Sequence, residues 1–313
     1  MKLVKYDSSY KEIWDEFVKN SKNGIFMFQR DFMEYHSDRF DDFSLMIFNE
    51  KSKLIAVFPA NISEDTIYSH QGLTFGGLLL NSESTVKLVL DIFDLLKASL
   101  KDFGVKKIIY KCIPYIYSSV PSQEDLYALF ISNASLIRCD VTTSIKMAST
   151  IPYGSQRKRS IKKALKSGVM VERAYEVDEY WQILNSVLKS QHNTQAVHSQ
   201  QEIKYLMEKF PDNIKLYVAK RNDVVLAGTV IFESEFVAHA QYLANSDFGK
   251  SCGALDIVID TLISDVYNSK EYFDFGISNE SDGRYLNQGL INQKEGFGAR
   301  AVVHGQYEIL IND

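Results

Sequence analysis

Apolar residues along this chain recur in two alternating rhythms, and the order of those rhythms appears twice. Early on, the β-rich runs Ser44-Leu45-Met46-Ile47-Phe48 and Leu54-Ile55-Ala56-Val57-Phe58 flank the polar turn Asn49-Glu50-Lys51-Ser52, which predicts a hairpin. A second hairpin is predicted where 215–219 and 224–230 flank Lys220-Arg221-Asn222-Asp223. After each comes a third strand (66–70 or 236–242), a long amphipathic helix (84–103 or 253–268) and a short apolar strand (107–110 or 272–275). A further helix follows, over 124–132 or 285–295, and each half closes on β-like sequence. Helices precede both hairpins, over 10–20 and 30–40 in the first half and over 177–190 and 199–210 in the second.

The expected fold class is therefore α+β: two tandem domains, each a mixed, mostly antiparallel sheet flanked by helices. The seam is placed near 149–153, which gives an N-terminal domain over 1–150 and a C-terminal domain over 151–313. A chain of 313 residues is long enough for each half to bury its own core.

Just past the seam, 154–168 reads as a basic helix. Ile161, Ala164 and Leu165 keep helical spacing, while Lys158, Lys162 and Lys166 line up on another face. Arg157, Lys158 and Arg159 in the first turn oppose the helix dipole, so an anionic partner or water is needed to compensate them. A solvated basic face is the plain alternative. Where an anion binds, Arg159 offers a bidentate fork and Lys162 a point charge.

Composition narrows the classes. A net charge of −5 argues against general nucleic-acid coating, which relies on many cations meeting phosphates. Cys112, Cys139 and Cys252 are scattered, with no zinc or disulfide spacing, so no metal is expected. Met1 is not followed by a charged leader with an apolar core, and no apolar run reaches the ~18 residues of a membrane span. A soluble, cytoplasmic protein is expected.

The element order, the basic helix at the seam, Tyr272-Phe273-Asp274-Phe275-Gly276 and Lys294-Glu295-Gly296-Phe297-Gly298-Ala299 resemble the tandem GNAT-fold acyltransferases. Within them the chain is similar to the Fem-type (FemAB-like) peptidyltransferases and to the acetyltransferase group found beside bacterial polysaccharide genes. The segment Ser69-His70-Gln71-Gly72-Leu73-Thr74-Phe75-Gly76-Gly77-Leu78 resembles the first-domain signature of the latter. That resemblance implies a transferase moving an acyl or aminoacyl group onto an amine, with the first domain on the acceptor side and the second on the donor and catalytic side. It implies acyl-CoA as co-substrate, or charged tRNA in a Fem-type enzyme. The implied acceptor is a small, nucleotide-linked or lipid-linked sugar of cell-envelope or polysaccharide biosynthesis. A non-catalytic module binding a phosphorylated ligand is the reading from another class.

Such chemistry needs an amine made neutral and donors for the developing oxyanion. His70 and His239, each at a third strand, suit proton removal, although strand histidines are often structural. Asp274 stands between two phenylalanines on a strand, so it points away from them, as a raised-pKa base, as an orienter of the substrate amine, or as a cap or anchor for the Gly276 turn. In the segment Asn245–Ala254, Gly253 would let a phosphate approach and Ser251 would cap the following helix. Tyr242 and Tyr285 are candidate donors to a leaving group, and Arg284 lies in a candidate substrate rim. Lys294 resembles the family's C-terminal lysine; compensation of a helix end would also explain it.

Overall fold

The computed structural model describes residues 1–192 and 194–311. They pack as two compact units. The first comprises Met1–Asp140, Asn279–Tyr285 and the chain from Val303; the second comprises Val141–Ser278 and Leu286–Val302. The division thus falls inside the strand Ser135–Lys146 rather than at 149–153, and the terminal strand Arg300–Leu310 is likewise divided. Alternating apolar residues predict a strand, but they carry no information about which core its two ends serve.

In the first unit the predicted hairpin forms as Leu45–Phe48 against Leu54–Phe58. Its second strand stops before Pro59, which has no N–H to give a ladder, and resumes as Asn61–Ser63 in a different sheet. That second sheet pairs Asn61–Ser63 with Thr66–Tyr68, and Thr66–Tyr68 runs parallel to Lys107–Lys111. The helix Val86–Asp102, capped by Thr85, buries Val89, Ile92, Phe93, Leu96 and Leu100, a spacing of three and four residues. The helix expected over 30–40 is a single turn, Arg30–Met33, followed by a 3-10 turn. Its buried Arg30 lies over the Tyr6 ring and bonds Glu34 and Asp42.

The second unit is one sheet in the order Met170–Ala174, Ile214–Arg221, Val224–Glu233, Val237–Asn245, Tyr272–Ile277 and the strand from Val141 to Lys146. All neighbours are antiparallel except Val237–Asn245 with Tyr272–Ile277. The basic helix forms as Ser155–Lys166 and buries Ile161 and Ala164 against the helix Ala254–Thr261, whereas Leu165 is exposed. Gln200–Lys209 begins with a full capping box between Ser199 and Glu202. No described helix is long and apolar enough to cross a membrane.

Candidate functional site

The second unit's one parallel strand pair comes apart. Val237, Ala238 and His239 pair with Tyr272, Phe273 and Asp274, and pairing ends there although the strands run on to Asn245 and Ile277. Each strand bends away at an irregularity of its own. Val237–Asn245 has a bulge at Gln241, where Val230 faces Tyr242 but Ile231 faces Ala240. Tyr272–Ile277 loses register with its other neighbour between Asp274 and Ile277, around Gly276 at a φ of +73°. Backbone groups facing the gap therefore have no ladder partner across it.

Ala238, Ala240, Phe273 and Phe275 belong to the core shared with Ala254–Thr261, so alternation places His239 and Asp274 on the opposite face. Asp274 is fully buried there and accepts from His239 Nδ1 at 2.6 Å, Thr142 Oγ1 at 2.5 Å and Ser144 Oγ at 2.7 Å. Burial alone would raise its pKa, but the bond and charge of His239 and the two hydroxyl bonds outweigh it and hold the carboxyl below its ordinary value. A raised-pKa base at Asp274 is thus corrected to an ionised anchor. With Nδ1 bonded to this carboxylate, Nε2 is the ring nitrogen that remains for proton exchange with a substrate.

On the core side lies a cavity of about 540 Å³, walled by Leu243, Asn245, Asp256, Phe275, Lys294 and Phe297, with Arg157 at its edge. Lys294 is almost wholly buried, and Nζ donates to the carbonyls of Gly276 (2.8 Å) and Ile277 (2.7 Å). It therefore pins the bent strand. Burial lowers its pKa to about 8, with the Asp274 charge restoring part of the loss. Arg157 donates to Asp256 at 2.5 Å and stands 5.6 Å from the Phe297 ring. Burial raises the Asp256 carboxyl, while Arg157 pulls it back. Asn245 Oδ1 is a buried acceptor with no partner among the described residues.

The segment before Ala254–Thr261 is not an open phosphate loop. Asp247–Cys252 is a short helix capped by Ser246, whose Oγ accepts from Gly249 N at 3.1 Å. Ser251 does not cap the next helix; its hydroxyl donates to Phe248 O at 2.7 Å. Gly253, at a φ of +82°, serves a close approach to the basic helix, because a Cβ there would sit 2.4 Å from Ser160 O. The Cβ side of Gly253 is therefore filled by backbone of the basic helix.

The remaining candidates fall elsewhere. His70 lies in the first unit at a φ of +57°, only 3% exposed, its ring stacked on His36 with centroids 5.4 Å apart. Burial, aided by His36, lowers its pKa to about 3, so it is too weak a base to take a proton near neutrality. Tyr242 is buried and paired with His198 through a 2.6 Å contact to Nδ1; burial raises its pKa to about 12. Arg284 and Tyr285 are exposed residues of the first unit, and Arg159 and Lys162 are exposed on the basic helix. Sequence reasoning missed Thr142 and Ser144, whose period-two spacing on one strand was their only signal, and it missed Gln241, Asn245 and Asp256.

No protein-family model matches the sequence, and no curated protein does. Solved structures do match over almost the full length. FemX aligns over 99% of this chain and 97% of its own, at 12% identity and a TM-score of 0.70. The C-terminal domain of a putative lysylphosphatidylglycerol synthetase from Agrobacterium fabrum aligns over 97% and 92%, at 12% identity and a TM-score of 0.64. A tandem GNAT protein from the clavulanic acid biosynthesis pathway aligns over 100% and 99%, at 7% identity and a TM-score of 0.52. The fold is a GNAT-type fold.

Proposed function

We propose that this protein is a tandem GNAT-fold transferase that moves an aminoacyl group onto the amine of a cell-envelope or polysaccharide precursor. The observation that carries the reading is the splayed strand pair, open onto a cavity in which Lys294 is held in place by two carbonyls. A fixed ammonium beside unpaired strand backbone suits a carbonyl whose oxygen gains charge during attack, and it needs no rearrangement at that moment. His239, steadied by Asp274 on the other face, is the base for the incoming ammonium.

An aminoacyl donor is favoured over acyl-CoA by two features. The cavity offers hydrogen-bond acceptors, Asn245 Oδ1 and the Asp256 carboxylate, which suit an ammonium-bearing acyl group. The Gly253 corner is filled by Ser160, and Asp247 and Asp256 flank it, which disfavours a diphosphate there. Charged tRNA, as in Fem-type enzymes, is the donor that fits both. The test is single-turnover transfer to amino-sugar and peptidyl acceptors from aminoacyl-tRNA and, in parallel, from acetyl-CoA. Transfer from tRNA alone is expected. Transfer from acetyl-CoA alone would restore the CoA reading, and saturable acceptor binding without transfer from either donor would favour a non-catalytic module.

A further inference from the structure

The outer face of the basic helix has no role in the chemistry above. Residues 154–171 hold six Lys and Arg and no acid, which leaves the rest of the chain at −11, with 29 cations against 40 acids. Arg157 is turned inward onto Asp256. The other five, Lys158, Arg159, Lys162, Lys163 and Lys166, are exposed and make no ion pair among the described residues. At 100° per residue they fall within an arc of about 140° along a helix about 18 Å long. Leu165 stands at the edge of that arc, 61% exposed. The helix ends in a tight turn, with Gly168 at a φ of +70° and Val169 N bonded to Ala164 O, and beyond it Met170 is 69% exposed.

We propose that this face, with Leu165 and Met170, is a docking surface for an anionic bilayer. A cluster of four to eight cations on one amphipathic helix is the electrostatic half of such a surface, and projecting aliphatic side chains are the apolar half. A nucleic acid would use the cations but not the aliphatic pair, and 154–174 contains no aromatic residue on which a base could stack. The net negative charge of the remaining chain disfavours other orientations at an anionic plane. Gln156, Arg157 and Ser160 on the inner side of the same helix line the cavity, so docking holds the cavity within about one helix diameter, ~10–12 Å, of the headgroups, where a lipid-linked acceptor would be presented. Only that last benefit rests on the transferase reading.

Flotation of the purified protein with vesicles tests the surface without any substrate, so its outcome is independent of transfer activity. The protein should float with phosphatidylcholine vesicles containing about a third phosphatidylglycerol and not with phosphatidylcholine alone. Lys158→Glu with Lys166→Glu should lower partitioning by about tenfold or more. Leu165→Ser with Met170→Ser should lower it several-fold while leaving any binding of poly-uridylate unchanged. All four positions are exposed, and circular dichroism checks that the helix persists. No flotation of the wild type, or equal flotation of the charge-reversed variant, overturns the proposal. Poly-uridylate binding that needs these cations, without flotation, assigns the face to nucleic acid instead.

Discussion

Both units contain a parallel strand pair and a lysine, half-buried in the first and buried in the second, bonded to nearby carbonyls, yet one pair is closed and the other open. In the first unit the pairing of Thr66–Tyr68 with Lys107–Lys111 is extended by further bonds: Ser69 N donates to Ile109 O at 2.9 Å, and Lys111 N donates to Ser69 Oγ at 2.6 Å. Lys111 Nζ then reaches the carbonyls of His70 (3.0 Å), Gln71 (3.4 Å) and Leu73 (2.8 Å). Three ammonium protons meet three acceptors. Lys294 in the second unit has two such acceptors among the described residues and borders a cavity, so one N–H remains to face a ligand. Burial lowers both lysines to about 8. The same device is therefore a joint in one unit and a candidate oxyanion donor in the other, and saturation of the ammonium, not its pKa, distinguishes them.

Replacing each lysine in turn breaks the comparison most sharply. Lys294→Met should lower the rate of acyl transfer by about a hundredfold or more, the scale of a lost oxyanion donor. Lys111→Met should leave the rate within a few-fold and instead destabilise the first unit by about 1–3 kcal/mol, as the 70–73 carbonyls lose their donor. Single-turnover rates and urea denaturation measure the two effects; equal rate losses in both variants would erase the distinction.

The pH dependence should split in the same way. A lysine whose pKa falls from 10.5 unfolded to about 8 folded costs stability wherever it is charged, about 3 kcal/mol for so buried a group. That cost is fully present below pH 8 and disappears as pH rises towards 10.5, so both lysines add to stability across that window. Turnover should move oppositely, falling about tenfold per unit above pH 8 as Lys294 loses its proton. In Lys294→Arg the falling limb should vanish whatever the residual rate, because guanidinium stays charged. A limb that persists there belongs to another group.

What the sequence revealed follows from which features are local. Both hairpins, the capping box at Ser199 and the helix Val86–Asp102 with its buried stripe were legible because turn chemistry and helical period act over a few residues. Lys294, Asp274 and His239 were legible as candidates through family resemblance and strand position. The assembly of the site was not. Thr142 and Ser144 reach Asp274 across 132 and 130 positions, and no local pattern announces that they saturate it. Gly253 looked like a phosphate glycine because both readings need a residue without Cβ; only the neighbour, Ser160 O or a ligand, tells them apart. His70 looked like a base because it ends a third strand ahead of a glycine-rich loop, while its surroundings in space, His36 and Phe40, are rings.

The closed joint can be loosened without touching either lysine. Tyr110 Oη accepts from Leu78 N at 2.8 Å and donates to Asp125 at 2.9 Å, and Asp125 is itself pushed up to about 6 by burial. Tyr110→Phe should lower the stability of the first unit by about 1–3 kcal/mol, since a buried N–H and a buried carboxyl both lose a partner. Denaturation followed at pH 5 and pH 8 would show a smaller loss at the lower pH, where Asp125 is mostly neutral and less demanding.

The smallest effect expected is at the bend of the open pair. Gly276 has a φ of +73°, and a Cβ there would meet His239 Cε1 at 3.3 Å, a contact that a ring able to shift by a few tenths of an ångström can absorb. Gly276→Ala should therefore cost about 1 kcal/mol, mostly from the left-handed backbone. The ring's 2.6 Å bond to Asp274 resists that shift, so the rate should fall a few-fold while Lys294, held through the carbonyl and not the Cα, keeps its pH limb. A loss of the limb in Gly276→Ala would mean that the bend itself tunes the lysine, and the contrast with Lys111 would then rest on backbone shape more than on the count of acceptors.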